Sequence, residues 1–292
     1  MERAKTYEQA WWGMRLRTAF QGELGAFSQI AARQLAGDDC IPVPMVSFEA
    51  VFVSVVNGKC HCAVIPIENT LHGSVHENYD HLLKYDLPIR GETFVRIVHN
   101  VIAPPGVKFS QIRRVFSHPV ALNQCRRFFE ENPQIEKTPF YDTAGSVKMV
   151  MEEGLTDAGA IASANAAEIY GAKILRKSIE DDRENFTRFF LLERPKRRAQ
   201  GKPRGSKRFK TTVVFTMRNQ PGALFRSLSA FALRDINLTK IESRPLRGKP
   251  WEYLFYLDFI GHLEDPVCRN ALNHLAELAD MLRVLGCYPM GE

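Results

Sequence analysis

Residues 158–170, Ala-Gly-Ala-Ile-Ala-Ser-Ala-Asn-Ala-Ala-Glu-Ile-Tyr, hold the architecture of most of this chain in one step. The apolar run 158–162 predicts a strand, and it leads directly into a helical pattern over 164–170. The same step recurs upstream. A strand over 16–20 precedes a glycine turn and a helix over 27–35. A helix-like stretch over 48–57 is followed by a strand at 62–67. The strand 115–117 runs into a helix across 120–130. Strands alternating with helices predict an α/β architecture with mainly parallel sheets. Two stretches, 88–99 and 186–192, read instead as long extended connectors that cross between two lobes. A cleft between lobes is where a small ligand binds.

The 292 residues suffice for two domains with real cores. Hydrophobic content of 45% and charged content of 25% are those of a soluble globular protein, and no apolar run approaches the length of a membrane span. Residues 1–16 lack a secretory signal pattern and read as an arm ahead of the first strand. Six cysteines show no framework spacing, and Cys60-His61-Cys62 has no second pair at finger spacing. They read as small core residues of a reducing compartment, and a cytoplasmic location is expected. The net charge of +6 is local. Nine positive charges and no negative ones fall between Arg194 and Lys210, and without them the balance becomes −3. This stretch also carries Pro195, Gly201, Pro203, Gly205 and Ser206, so residues 195–210 read as a solvated linker, and neither nucleic acid nor membrane is expected as a partner. Beyond it the pattern changes. Strand 210–217, helix 221–232, strands 237–244 and 252–260, helix 266–279 and strand 281–288 follow the β-α-β-β-α-β order of a ferredoxin-like unit.

Candidate site residues gather in a few islands. In Asn-Phe-Thr-Arg-Phe-Phe, 185–190, the phenylalanines call for burial, which leaves Thr187 and Arg188 as polar groups in need of partners. Such a setting suits a small anion with a carbon ring. Strand alternation places Thr187 and Phe189 on one face and Arg188 on the other. Gly22 to Ser28 opens a helix whose backbone N–H groups, around Ala26 and Ser28, can seat an anion. Asn69 follows a buried strand, Ser117 precedes a helix that carries Gln124, and Asp142-Thr143 begins another. Among the histidines, His118 beside Ser117 is a candidate supporting residue, while His72, His76 and His99 read as helix-face or core residues.

The runs "IPIENTLHGSV", "FSHPVALNQC", "DTAGS", "AIASANAAEIYGAKIL" and "IEDDRENFTRFFLLER" resemble prephenate dehydratase, in order along the chain. "NQPGALFRSLSAFALRDINLTKIESRP" resembles the regulatory ACT domain of that family. The resemblance implies a two-lobed, periplasmic-binding-protein-like catalytic domain over 17–194 and an ACT domain over 211–288. It implies loss of carbon dioxide and hydroxide from prephenate, with no cofactor and no metal. Thr187 is then the catalytic residue. Asn69, Ser117, Gln124, Thr143, Arg188, Phe189, Ala26 and Ser28 are the substrate-binding candidates. Phenylalanine is implied as an effector between two ACT domains, held by Asn219, Gly222, Ala223 and Leu224 with Asn237, Glu242, Ser243, Arg244 and Pro245, in a homodimer or homotetramer. "GAFS", "HENYDHLLKYDLPIRGE" and "ADMLRVLGCYPMG" are closer to the plant arogenate dehydratases, so arogenate is the alternative substrate. Absence of a plastid transit pattern favours prephenate. A non-catalytic amino-acid sensor and a nucleic-acid-binding regulator acting through residues 194–210 are the readings from other classes.

Overall fold

The structure, a computed structural model, describes residues 15–195, 208–246 and 252–291. The arm expected over 1–16 lies outside these except for its last two residues, and so does the linker apart from Pro195 and residues 208–210. The chain divides into two compact units. One comprises the residues up to Tyr85 together with Thr93–Leu191, the other Asp86–Glu92 together with Leu192 onward.

The first unit begins with β1 (Arg17–Gln21), α1 (Phe27–Ala36), β2 (Ile41–Met45), α2 (Phe48–Val56), β3 (Cys62–Asn69), β4 (Gly73–Ser74), α3 (His76–Lys84) and β5 (Ile89–Arg96). It continues through β6 (Asn100–Ala103), β7 (Arg114–Ser117), α4 (Pro119–Asn123), α5 (Arg126–Glu131), β8 (Glu136–Pro139), α6 (Thr143–Glu152), β9 (Ala158–Ala162), α7 (Ala164–Ile169), β10 (Lys173–Arg176) and β11 (Phe186–Glu193). Two sheets result. The first runs β11-β3-β1-β2, with the unit's part of β5 beside β11. The second runs β10-β6-β9-β7-β8. The pairs β1–β2, β1–β3, β7–β8 and β7–β9 are parallel, as the alternation predicted, whereas β6 pairs antiparallel with β9 and β10.

Burial explains the order. The apolar face of α1, with Ala31, Ala32 and Leu35, packs on Val64, Val95, Phe189 and Leu191. Phe20 and Ala26, from the first sheet's side, join Ile102, Val147, Ala160 and Ala166 in a core shared with the second sheet. The helix expected across 120–130 is in fact two. Cys125, at φ −125° and ψ 40°, breaks it, and the Asp181 carboxylate accepts from Arg126 N at 2.8 Å and Arg127 N at 3.0 Å. That charged acceptor starts a new helix where periodicity alone continues the old one.

The second unit contains β12 (Phe209–Thr216), α8 (Ala223–Ala232), β13 (Leu238–Pro245), β14 (Tyr253–Ile260), α9 (Pro266–Leu278) and β15 (Met281–Pro289) in the expected β-α-β-β-α-β order. Its antiparallel strands run β13-β14-β12-β15. Val213, Phe215, Leu257 and Phe259 of the sheet pack on Ala230, Phe231, Ala271 and Leu275 of the helices. The unit also holds the beginning of β5, a segment assigned from sequence to the catalytic domain. Ile89 pairs in parallel with Gly286, and Glu92 forms a buried ion pair with Lys210 at 2.8 Å while accepting from Gly291 N. β5 and β11 are thus the two strands whose chain passes from one unit into the other.

Two stability measurements follow. Gly25 has φ +92°, and a Cβ there would sit 2.6 Å from Ala166 Cα, so Gly25→Ala should cost about 2–4 kcal/mol in denaturant unfolding. Lys210→Met strands the Glu92 carboxylate and should cost about 3 kcal/mol or more, whereas adding Glu92→Leu should restore most of it. A double variant no more stable than Lys210→Met would contradict that account.

Candidate active site

The site grows from the end of β3. Asn69 follows the buried run Cys62–Ile67 at the point where the chain turns, and its Oδ1 accepts from Leu71 N and His72 N, both at 3.0 Å. Those two donors fix the orientation of the carboxamide, so Nδ2 must face the other way. It faces the start of β11, donating toward Asn185 Oδ1 at 2.8 Å, Thr187 Oγ1 at 3.0 Å and Phe186 O at 3.1 Å. Thr70 tightens the junction. Its hydroxyl donates to Glu184 O and accepts from Phe186 N, and its own N–H donates to Phe186 O. Thr187, 8% exposed, therefore has an oxygen that accepts from Asn69 and a proton left to donate.

Arg188 and Phe189 take different roles from those expected. Alternation holds: Arg188 turns to the other face, 4.7 Å above the Phe190 ring, and its side chain is buried. Phe189 shares the Thr187 face but lies in the core beneath α1, packed with Ala31, Ala32 and Leu35, so its ring is structural. The physical reason is that β11 is an interior strand, covered on that face one residue pair beyond Thr187.

Gln124 is the second centre. Its Oε1 lies 2.8 Å from His99 Nε2 and its Nε2 lies 3.2 Å from His72 Nδ1. Gln124 follows α4, so the His72 contact joins the turn after β3 to the end of that helix. Burial pushes the His99 imidazole below its ordinary value and keeps it neutral near pH 7. Neither His72 nor His99 is picked out by sequence; His72 has the pointer of lying just after Asn69, and His99 has none. His118, the expected supporting residue, instead caps α4 by accepting from Val120 N at 3.2 Å, and burial lowers its pKa.

Ser117 is fully buried and donates to Ile161 O at 2.6 Å, which makes it a brace between β7 and β9. Ala26 caps α1 with no side-chain bond, and Gly25 N donates to Gln29 Oε1 at 2.6 Å, which leaves the first helical turn at Phe27 and Ser28 as the anion-favouring end. Thr143 is the first residue of α6. Its neighbour Asp142 accepts from Gly145 N at 2.7 Å, and burial raises the Asp142 pKa. Nearby, Glu23 accepts from Tyr141 Oη at 3.1 Å and pairs with Lys148 at 3.3 Å, while partial desolvation and the Glu23 carboxylate push the phenol of the largely exposed Tyr141 up to about 12.

In the second unit, Gly222 adopts φ +77°, a left-handed position that suits glycine, and starts α8. A groove of about 400 Å³ flanks this turn, lined by Met217, Arg218, Gln220, Ala223, Arg226 and residues 277–280. It includes Ala223 of the expected effector residues, but not Asn219, Gly222, Leu224, Asn237 or the Glu242–Pro245 stretch of β13. Leu224 is partly exposed, and β13 alternates half-buried Glu242 and Arg244 with exposed Ser243 and Pro245.

Residues 18–197 match the prephenate dehydratase family and residues 211–276 the ACT domain. The protein named arogenate dehydratase/prephenate dehydratase 2, chloroplastic, of Arabidopsis thaliana is 45% identical over 287 residues, covering 95% of this chain and 74% of that protein. The structure of prephenate dehydratase in complex with L-Phe from Arthrobacter aurescens superposes with a TM-score of 0.84 at 33% identity, covering 94% of this chain and 90% of that one. GqqA, described as a novel type of quorum quenching acylase, superposes with a TM-score of 0.85 at 36% identity, covering 94% and 97%. With Thr187 tied to Asn69 at the mouth of its first sheet and a βαββαβ unit at its C-terminal end, the chain belongs to the prephenate dehydratase family, as a lyase with an ACT domain.

Proposed function

We propose that the protein converts prephenate to phenylpyruvate, with Thr187 as the catalytic residue and phenylalanine as the effector of the ACT domain. The observation that carries the reading is the Asn69 Nδ2 to Thr187 Oγ1 hydrogen bond, which leaves the threonine proton free to donate. In prephenate the bond from the ring to one carboxylate breaks, its electron pair moves through the diene, and the carbinol C–O bond breaks at the far side. Carbon dioxide and hydroxide leave, one proton converts hydroxide to water, and the ring becomes aromatic. An aliphatic hydroxyl is a poor acid near neutral pH, so Thr187 stabilises the departing hydroxide by hydrogen bonding, with water supplying the proton. The departing carboxylate loses energy-lowering hydration in the cleft as its charge disperses.

Prephenate is favoured over arogenate because the side chains bonded to those of Asn69 and Gln124 are an amide, a hydroxyl and imidazoles; among the described residues no carboxylate bonds either amide side chain to mark a place for an ammonium. The acylase description of GqqA asks for a nucleophile with a base beside it. The bonding partner of the Thr187 hydroxyl is an amide, which supports the dehydratase reading instead.

Asn69→Asp keeps acceptors for Leu71 N and His72 N but presents an oxygen to Thr187, so the threonine proton turns toward residue 69. Turnover of prephenate should fall about 100-fold, as for loss of one donor to a developing anion, and the melting temperature should fall too, because the new oxygen also faces Asn185 Oδ1 and Phe186 O. Unaltered kcat would remove Thr187 from the reaction. Measured on the wild-type protein, kcat/KM should be higher for prephenate than for arogenate and should fall when phenylalanine is added. A higher value for arogenate would overturn the choice of substrate.

A further inference from the structure

We propose that His72 is a specificity-determining residue, which presents its Nε2–H to the side-chain carbonyl of the substrate; the assignment rests on the prephenate reading above. His99 is 2% exposed and set edge-on to Phe27 at 5.8 Å. Its Nδ1 is buried without a hydrogen-bond partner, and burial keeps the ring neutral. A neutral imidazole has one N–H, and a buried donor without an acceptor is the rarer and costlier orphan. The hydrogen therefore sits on Nε2 and is donated to Gln124 Oε1 at 2.8 Å.

That bond fixes the amide of Gln124. Its NH2 end then faces His72 and donates to Nδ1 at 3.2 Å. With Nδ1 used as an acceptor, the hydrogen of the His72 ring is on Nε2, which has no partner among the described residues. His72 is exposed, and its backbone N–H and the Thr187 hydroxyl are bound to opposite ends of the same Asn69 carboxamide, each at 3.0 Å. The turn that carries the His72 imidazole is thus tied to the residue that meets the carbinol, and the Nε2 edge of that ring is a donor.

Prephenate and arogenate share the ring, the carbinol and the carboxylates. They differ at one side-chain atom, a carbonyl oxygen that accepts in prephenate and an ammonium that only donates in arogenate. A fixed N–H favours the first and opposes the second.

The test uses the full chain and compares kcat/KM for both substrates in the wild type, His72→Ala and His72→Asp, with melting curves as the folding control. His72→Ala should lower the prephenate value about tenfold, mainly through KM, and change arogenate by less than about threefold, the effect of one hydrogen bond. His72→Asp supplies an acceptor for an ammonium and should move the ratio further toward arogenate. Parallel losses on both substrates, or no change on either, would overturn the assignment. A wild type that prefers arogenate would overturn the prephenate reading, whereas the His72 assignment is decided by the change in ratio between variant and wild type.

Discussion

The Asn69 carboxamide is the constraint on which the site depends. Two backbone donors of its own turn orient it from one side, so it is already set before it meets β11. Its two N–H groups then face three acceptors between 2.8 and 3.1 Å, all from Asn185, Phe186 and Thr187. Strand pairing alone would place Thr187 within the scatter of a sheet. A doubly anchored amide also sets which way its hydroxyl proton is free to point, the direction on which the proposed role of Thr187 depends. Thr70 adds bonds in both directions across the same junction, so the end of β3 and the start of β11 behave as one piece.

The two halves of the site come into register through the segments that join the two sheets of the first unit. Ile97 N donates to Asn185 O at 2.8 Å and Ile179 N to His99 O at 2.9 Å, so the outgoing and returning chains pair where they cross. The Glu180 carboxylate, its side chain almost wholly buried, accepts from His99 N at 3.0 Å and from Arg96 Nη2 at 3.2 Å. A buried carboxylate needs such partners to offset its lost hydration. The consequence is positional: Asn185, which meets Asn69, and His99, which meets Gln124, hang from the same crossing. A disturbance at Glu180 reaches both.

Much of this was legible in the sequence, for identifiable reasons. Five- to eight-residue apolar runs and their following helices mark β1, β3, β9, α1 and α2 because burial acts over the same short period as the pattern. Alternation separates Thr187 from Arg188 because a strand has no other choice. It does not tell depth, and so it left Phe189 as a cleft residue when an overlying α1 makes it core. The break between α4 and α5 is set by Asp181, 55 residues from Arg126, and the His99–Gln124–His72 chain spans 25 and 52 residues. Hydrogen bonds between a loop and a helix end leave no periodic trace. The allegiance of residues 86–92 was hidden similarly, since it rests on Gly286 lacking a side chain where Ile89 approaches and on a lysine at position 210.

The polar groups around Thr187 are suited to a reaction that supplies its own driving force. Aromatisation makes a strong acid unnecessary, and the protein needs only to favour the charge that appears on the leaving oxygen. A carboxylic acid in that place would face an anionic substrate and, once ionised, would repel the hydroxide it was meant to help. A threonine held by an amide presents the same donor whatever the pH within the folded range. Its direct neighbours, Asn69 and the Phe186 carbonyl, do not titrate either. Two perturbed groups, Asp142 and the Tyr141 phenol, lie instead at the start of α6, where desolvation raises both pKa values. On the proposed mechanism the donor to the leaving oxygen is a group of fixed charge, while the imidazoles of His99 and His72 lie at the separate Gln124 centre.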